Sequence, residues 1–433
     1  MNKILKNHLH YRVLNPPDSG HYFFGYYNLC PWSLDGKQLL AHRATFANRF
    51  PLGDEFVELG FLDAHGSSFT SLGQTLAWNF QQGAKLQWLA SSAGNERIIH
   101  NDFRSGTLCS VMRDSNGVEL GMFERPFDAI SPSGSEAVGF SIARINSCRR
   151  EYGYPVLPTS EAYPSDLEDG IWRLNLNTGE SQLLLSIDQV KSVKPSLLGQ
   201  HAKHYLIHAV YNKSGSRILF LHRFERKDGI TQTRLFTIGA DGSDLRLLMD
   251  GMVSHFDWYD DETIFAWAGK RSIFSDRGSD GLGIRFKRSV MKCLKPIYYA
   301  MGKPRFLMVK VVGDSYHFIS DVEGSEIRPY MKGLFLTDGH CTFNDSLNGV
   351  SRWLLTDGYP NRRGQLPLYL CNMNDEQTHE IGLFGCPRMY DGEIRVDLHP
   401  RFNRDFSQVC ADVVMNGFRS IVTMDVSSLT GSN

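Results

Sequence analysis

A strand-turn-strand unit recurs about seven times along the 433 residues, at a period of roughly fifty. Examples are WSLDGKQLLAHRATF followed by VELGFLDAHG, and HYLIHAVYNKSGSRILFLHRF followed by TRLFTIGADGSDLRLL. In each unit a turn rich in Gly, Asn or Asp joins two runs that alternate apolar and polar residues, and a third run ends near another such turn. One unit makes one small antiparallel sheet, which cannot bury its faces alone and must stack on its neighbours. Long helical periodicity is nearly absent. The expected fold is therefore all-β: a seven-bladed β-propeller, within a range of about six to eight blades, as a single domain spanning 1–433. The segment from His8 to Leu14 is placed to add an outer strand to the last blade and close the ring.

Two stretches depart from the repeat. Residues 146–168 form a loop rich in Pro and Tyr, and residues 270–305 form a basic insertion in the fifth blade. The second holds Lys270, Arg271, Arg277, Arg285, Lys287, Arg288, Lys292, Lys295, Lys303 and Arg305. A solvated insertion explains such a charge run; a lid or anion-binding arm over one face of the ring is the sharper alternative. The interleaved Phe286, Ile297, Tyr298 and Tyr299 also suit contact with a membrane surface or a partner helix.

Formal net charge is -1, so no global basic excess argues for nucleic acid. The opening MNKILKNHLHYRVLNPP has no long apolar core and no small-residue cleavage site, and no apolar run reaches membrane-spanning length. The eight cysteines are scattered, without CxxC pairs, and Cys109, Cys371 and Cys410 fall inside expected strands. Reduced cysteines and a cytoplasmic location follow as the simplest expectation. Nothing distinguishes a monomer from a homodimer.

Four histidines stand at the same place in four successive units: His208, His255, His340 and His399. Each opens a short apolar stretch that leads into a polar turn and a β-forming run. A lone histidine at a strand start is commonly a structural polar residue. Four at equivalent positions of a ring would meet in space. In EIRVDLHP, strand alternation puts Glu393, Arg395, Asp397 and His399 on one face. Asp397 and His399, joined by His340 from the preceding blade, then make a divalent metal site suited to zinc or manganese. Cys341, next to His340, would face the other way in a regular strand.

Arg234, in TRLFTIGADGSD, precedes His255 by about one strand. An arginine fork matches a carboxylate, and a neutral histidine can take a proton. A blade-to-blade salt bridge is the plainer role for Arg234. A third set of aromatic and amide residues, Tyr26, Tyr27, Asn28, Trp32, Trp78, Asn79, Gln81, Gln82 and Trp88, clusters at the starts of the first two units. The tryptophans suit packing between sheets, whereas Tyr27, Gln81, Gln82 and His222 are the candidate substrate contacts. No P-loop, GxGxxG, HExxH or GxSxG motif occurs in a fitting context.

From about residue 200 onward these residues resemble the oligogalacturonate lyases, β-propeller enzymes that split short pectic uronides. The resemblance is carried in order by His208, by Arg234 in RLFTIGADGS, by His255 in SHFDW, by His340, and by IRVDLHPRF around His399. It extends more distantly to propeller lyases of the ulvan type, and across 20–190 only the repeat and the tyrosine-rich start are similar. The last motif departs from the family pattern: Asp397 stands where a histidine is expected and Ile394 where a glutamine is expected. The resemblance implies a lyase that cleaves uronic-acid-containing oligo- or polysaccharides by metal-assisted β-elimination. His255 would be the base, Arg234 the carboxylate partner, His208 a substrate contact or proton donor, and His340, Asp397 and His399 the metal ligands. The implied partner is an acidic glycan. A non-catalytic propeller of the TolB or WD kind, acting as a binding platform, and a metal-dependent glycan hydrolase are the alternatives.

Overall fold

The computed structural model describes residues 3–66, 68–89, 96–196, 199–226, 231–269, 314–322, 324, 327–344 and 352–431. The basic insertion at 270–305 lies outside them. The described strands form six mainly antiparallel sheets. The first runs His21–Phe23, Gln38–Ala44, Val57–Asp63 and Phe69–Thr75 in chain order, and the second and third repeat that meander over Gln87–Phe123 and Ala129–Ser186. The next sheet has seven strands, from His204–Tyr211 to Ile327–Tyr330. Its central strand, Arg246–Trp258, pairs through Arg246–Gly251 with the strand before it and through Met252–Trp258 with the strand after it. It therefore joins two four-stranded meanders. The sheet built on Cys341–Phe343, Trp353–Asp357, Gln365–Asn372 and Thr378–Gly385 takes Ile4–Lys6 as a parallel edge strand. The last sheet, over Arg401–Asp425, takes Tyr11–Leu14 as its outer strand, with Leu14 opposite Ile421.

Central strands of such sheets are covered on both faces, which explains why alternation fades in their middles. Arg217–Glu225 is buried at every position from Ile218 to Phe224. Its Leu219 and Leu221 belong to a core that includes Ile171 and Leu185 of the preceding sheet and Val253, Ile264 and Ile319 beyond. The seven described cysteines are free, and Cys109, Cys371 and Cys410 are buried in strands as expected.

The stretch read as a loop at 146–168 begins inside a helix, α1 (Ile142–Cys148), followed by a 3-10 turn at Arg150–Tyr152. Ser141 caps the helix by accepting from the Arg144 amide. The buried Arg144 guanidinium is held by Asp169 at 2.5 Å and Asp166 at 2.8 Å. Tyr152 and Tyr154 are buried, so this insertion packs against the body of the protein.

One short segment organises the centre. Phe24 donates its amide to Asp412 of the last sheet, Tyr27 bonds the Phe256 backbone, and Arg401 donates to the Tyr27 carbonyl and to Thr342. The segment Phe24–Leu29 therefore crosses the point where the innermost strands converge. Two glycines permit it. Gly25 has φ 118°, and a Cβ there would lie 3.0 Å from the Gln82 carbonyl. Gly83 has φ 58°, and a Cβ would fall 2.2 Å from the His42 ring.

Candidate active site

All four repeated histidines reach this centre, and each does so through a local break in strand geometry. His208 has φ 61° at a bulge between Ile207 and Val210. His255 lies in a matching bulge between Val253 and Phe256. His340 immediately precedes Cys341–Phe343, and His399, with φ 44°, sits just before Arg401–Phe402. A non-glycine residue in left-handed backbone costs about 1–3 kcal/mol, and such strain concentrates where a side chain must be aimed. The rings surround Tyr26 and Tyr27. His255 and His340 are 4.0 Å apart between centroids, and His340 and His399 are 4.4 Å apart. Tyr26 stacks on His208 at 4.9 Å and meets His399 edge-on at 5.2 Å.

His340, Asp397 and His399 offer ligand atoms within 4.8 Å of one another, all buried. His340 Nδ1 donates to Asp357 Oδ2 at 2.9 Å, which leaves its Nε2 as the lone-pair nitrogen. His399 bonds the Gly25 backbone. Both Nε2 atoms are buried without a hydrogen-bond partner among the described residues. Two imidazole nitrogens and one carboxylate oxygen, each oriented from behind, fit a divalent cation such as zinc or manganese. The expectation that a strand would place Arg395, Asp397 and His399 on one face is corrected in its mechanism. Gly392–Ile394 is a 3-10 turn and 395–400 is not in a ladder. Asp397 and His399 still come together with His340, while Val396 and Leu398, before and between them, join apolar cores. Glu393 turns away toward Arg150, 3.8 Å distant.

Burial, and then the neighbouring His340, push His255 well below the ordinary histidine range, so it is neutral and has a lone pair to offer. Its Nδ1 is 3.5 Å from Asp338 Oδ2. His208 is likewise held neutral, by burial and by the charges of Arg223, Lys85 and Arg149. Burial also opposes a charge on His340, but Asp357 outweighs it and raises this one histidine. Asp397, although buried, is lowered to about 2: burial works against the charge and Arg395 overcomes it.

Other expected site residues are placed differently. Arg234 donates to the Val193 and Lys194 carbonyls and lies 4.0 Å from Asp250, and none of these contacts involves the four histidines. His222, opposite Arg234 in the strand register, bonds His204 at 2.9 Å. Both therefore have partners apart from the four histidines. The Tyr27 hydroxyl donates to the Phe256 carbonyl, Gln81 donates to the Arg395 carbonyl, and Gln82 bonds His208 Nδ1 at 3.2 Å. All three shape the site from within. Cys341 faces the aromatic core beside Phe265.

The sequence reading missed Arg223, Tyr152, Asp338 and Asp357. Arg223 follows His222, so alternation sends it to the opposite face, where its charge acts on Tyr26 and His208. It has no hydrogen-bond or ion-pair partner among the described residues, and its Nε is buried. The aspartates did carry a signal. Leu-Thr-Asp-Gly occurs at 336–339 and again at 355–358, and the two carboxylates approach His255 and His340 respectively.

Comparison with solved structures supplies the fold. An oligogalacturonate lyase in complex with manganese superposes with a TM-score of 0.57 at 15% identity, covering 98% of both chains. The fold is that of oligogalacturonate lyase. A second such lyase, from Vibrio parahaemolyticus, gives 0.55 at 12% identity with the same coverage. The β-propeller domain of a trilobed protease from Pyrococcus furiosus gives 0.45 at 9% identity over 94% of this chain. No protein-family model matches, and no curated protein matches. The described strands thus make an all-β chain with the fold of those two lyases. Among the described residues no helix is long and apolar enough to cross a membrane.

Proposed function

We propose that this protein is a lyase that cleaves uronate-containing oligo- or polysaccharides by β-elimination. On this reading the fold is a seven-bladed propeller whose seven-stranded sheet counts as two blades. The observation that carries the proposal is a neutral, buried His255 in ring contact with one member of a His-Asp-His ligand set. A base beside a Lewis-acid site is what proton abstraction next to a carboxylate requires. The two oligogalacturonate lyase structures add fold-level support, and the manganese of one makes manganese the first cation to try, with zinc the second.

A divalent cation held by His340, Asp397 and His399 would draw charge from the uronate C6 carboxylate and so acidify C5. His255 takes the C5 proton. The C5–H electron pair becomes the C4=C5 double bond, and the C4–O4 bond breaks. The Asp338 carboxylate, 3.5 Å from Nδ1, would stabilise the charge that His255 gains with the proton. We assign the cationic role to Arg223 rather than Arg234, because Arg234 is held by the Val193 and Lys194 carbonyls, whereas Arg223 is buried on the opposite face of its strand without an acidic partner among the described residues. The departing O4 is protonated from the Tyr26 and His208 pair, whose hydroxyl and Nε2 lie 3.5 Å apart. Water is not consumed.

The test is incubation with a panel of acidic glycans, including oligogalacturonates, with added manganese or zinc. An ultraviolet-absorbing unsaturated product is expected, and it should be lost in His255→Ala. A product heavier by one water would indicate hydrolysis. No product from any uronate-containing glycan would overturn the reading.

A further inference from the structure

We propose that the α1 insertion is a working part of the candidate metal centre: Tyr152 holds Arg395, and Arg395 holds the Asp397 carboxylate in its ligating pose. The inference rests on the metal reading given above.

Each ligand side chain needs something behind it. His340 has Asp357 and His399 has the Gly25 backbone, both from the sheets and the central segment. Asp397 has Arg395, whose Nε donates to Oδ2 at 2.7 Å, and this is its only hydrogen-bond partner among the described residues. A guanidinium is a rigid plane, so fixing its other end fixes the carboxylate. At that other end Nη2 donates to the Tyr152 hydroxyl at 2.8 Å, across 243 residues of sequence, and Nη1 donates over a longer 3.4 Å to the Gly392 carbonyl of its own turn.

Tyr152 is fixed in turn. It is 5% exposed, and its ring meets His208 edge-on at 5.0 Å and Tyr26 at 6.1 Å. Asn79 donates to the next carbonyl, of Gly153, at 3.1 Å. A Cβ on Gly153 would lie 1.7 Å from Asn146 Oδ1, so the 3-10 turn that presents Tyr152 closes only around glycine. The insertion thereby reaches from the third sheet to the one carboxylate of the ligand set. A carboxylate swings more freely than an imidazole already pinned through its second nitrogen, and the Tyr152–Arg395 link adds the shorter of the two bonds that hold the guanidinium behind it.

Charge and positioning make opposite predictions here. A guanidinium near a cation site repels the cation, so if Arg395 acted only through its charge, weakening its hold would not loosen the metal. If it acts by orientation, loosening it weakens binding although no charge changes. Tyr152→Phe removes one hydroxyl and no charge, and Arg395→Lys keeps the charge and loses the fork.

Manganese, and separately zinc, would be titrated calorimetrically into chelator-stripped full-length protein, for the wild type and both variants, with circular dichroism confirming the fold. Both variants are expected to bind manganese about 10–100-fold more weakly, the usual effect of losing a partner behind a ligand. Variants that bind as tightly as the wild type, or tighter, would overturn the inference and leave the metal site standing. A wild type that binds neither cation would overturn the metal reading itself. Catalytic activity is not needed for any of these readouts.

Discussion

Two arginines, Arg223 and Arg234, sit on neighbouring strands, and their surroundings give them opposite consequences. Arg234→Ala abandons two carbonyls that are hydrogen-bonded in the folded protein, so it should cost about 1–3 kcal/mol in urea unfolding. Arg223→Ala removes a desolvated charge from the centre and should lower kcat/KM by about 100–1000-fold on a cleaved uronide, with a smaller change in stability. Equal kinetic losses in the two variants would contradict the assignment. Asp357→Asn should weaken metal affinity by about 10–100-fold, measured by competition with a chelating dye, because the amide no longer holds His340 in its donor tautomer. The sequence showed the histidines because they recur at a period. It pointed to Arg234 rather than Arg223 because strand alternation is ambiguous by one residue until a bulge is located. The His208 and His255 bulges are not written in residue type. The paired Leu-Thr-Asp-Gly motifs were visible, but only contact with the rings gave them meaning.

Elements were more legible than residues. Hairpins at Asp35-Gly36 and at Asn177 to Gly179 fall where turn chemistry puts them, because glycine and asparagine tolerate the backbone that a tight turn needs. The segment read as the outer strand of the last blade does pair there, over Tyr11–Leu14. Leu14 is fully buried in that position, in the core that holds Trp32, Leu39 and Ile421. Leu14→Ala should therefore cost about 2–5 kcal/mol by chemical denaturation, far more than a change on an ordinary edge strand. A loss below about 0.5 kcal/mol, the range of a surface substitution, would show that the strand is not stably docked. The α1 helix was not foreseen, because its Pro- and Tyr-rich sequel hides a single capped helix of about two turns.

At the scale of the whole molecule, buried neutral histidines set the response to acid. Burial lowers His42 to about 3 and His100 to about 4, and His208, His222, His255 and His399 are lowered in the same direction. Below the ordinary histidine value the unfolded chain binds protons that the folded chain refuses, so stability rises with pH in that window and falls as pH drops. In chelator-treated protein, the urea midpoint should decline steadily from about pH 6.5 to pH 4, where carboxylates alone would begin to act only near the bottom of that range. A flat midpoint across this window would contradict the burial of these rings. Composition could not reveal this, since it counts histidines without saying which are dry. The segment Phe24–Leu29 has a different kind of consequence. Its partners Asp412 and Arg401 lie 388 and 374 residues further along the chain. Contacts of such long sequence separation form only after the intervening sheets have been made and docked. No chain that stops before Asp412 can present the assembled centre, so cation binding would report that these distant segments have met.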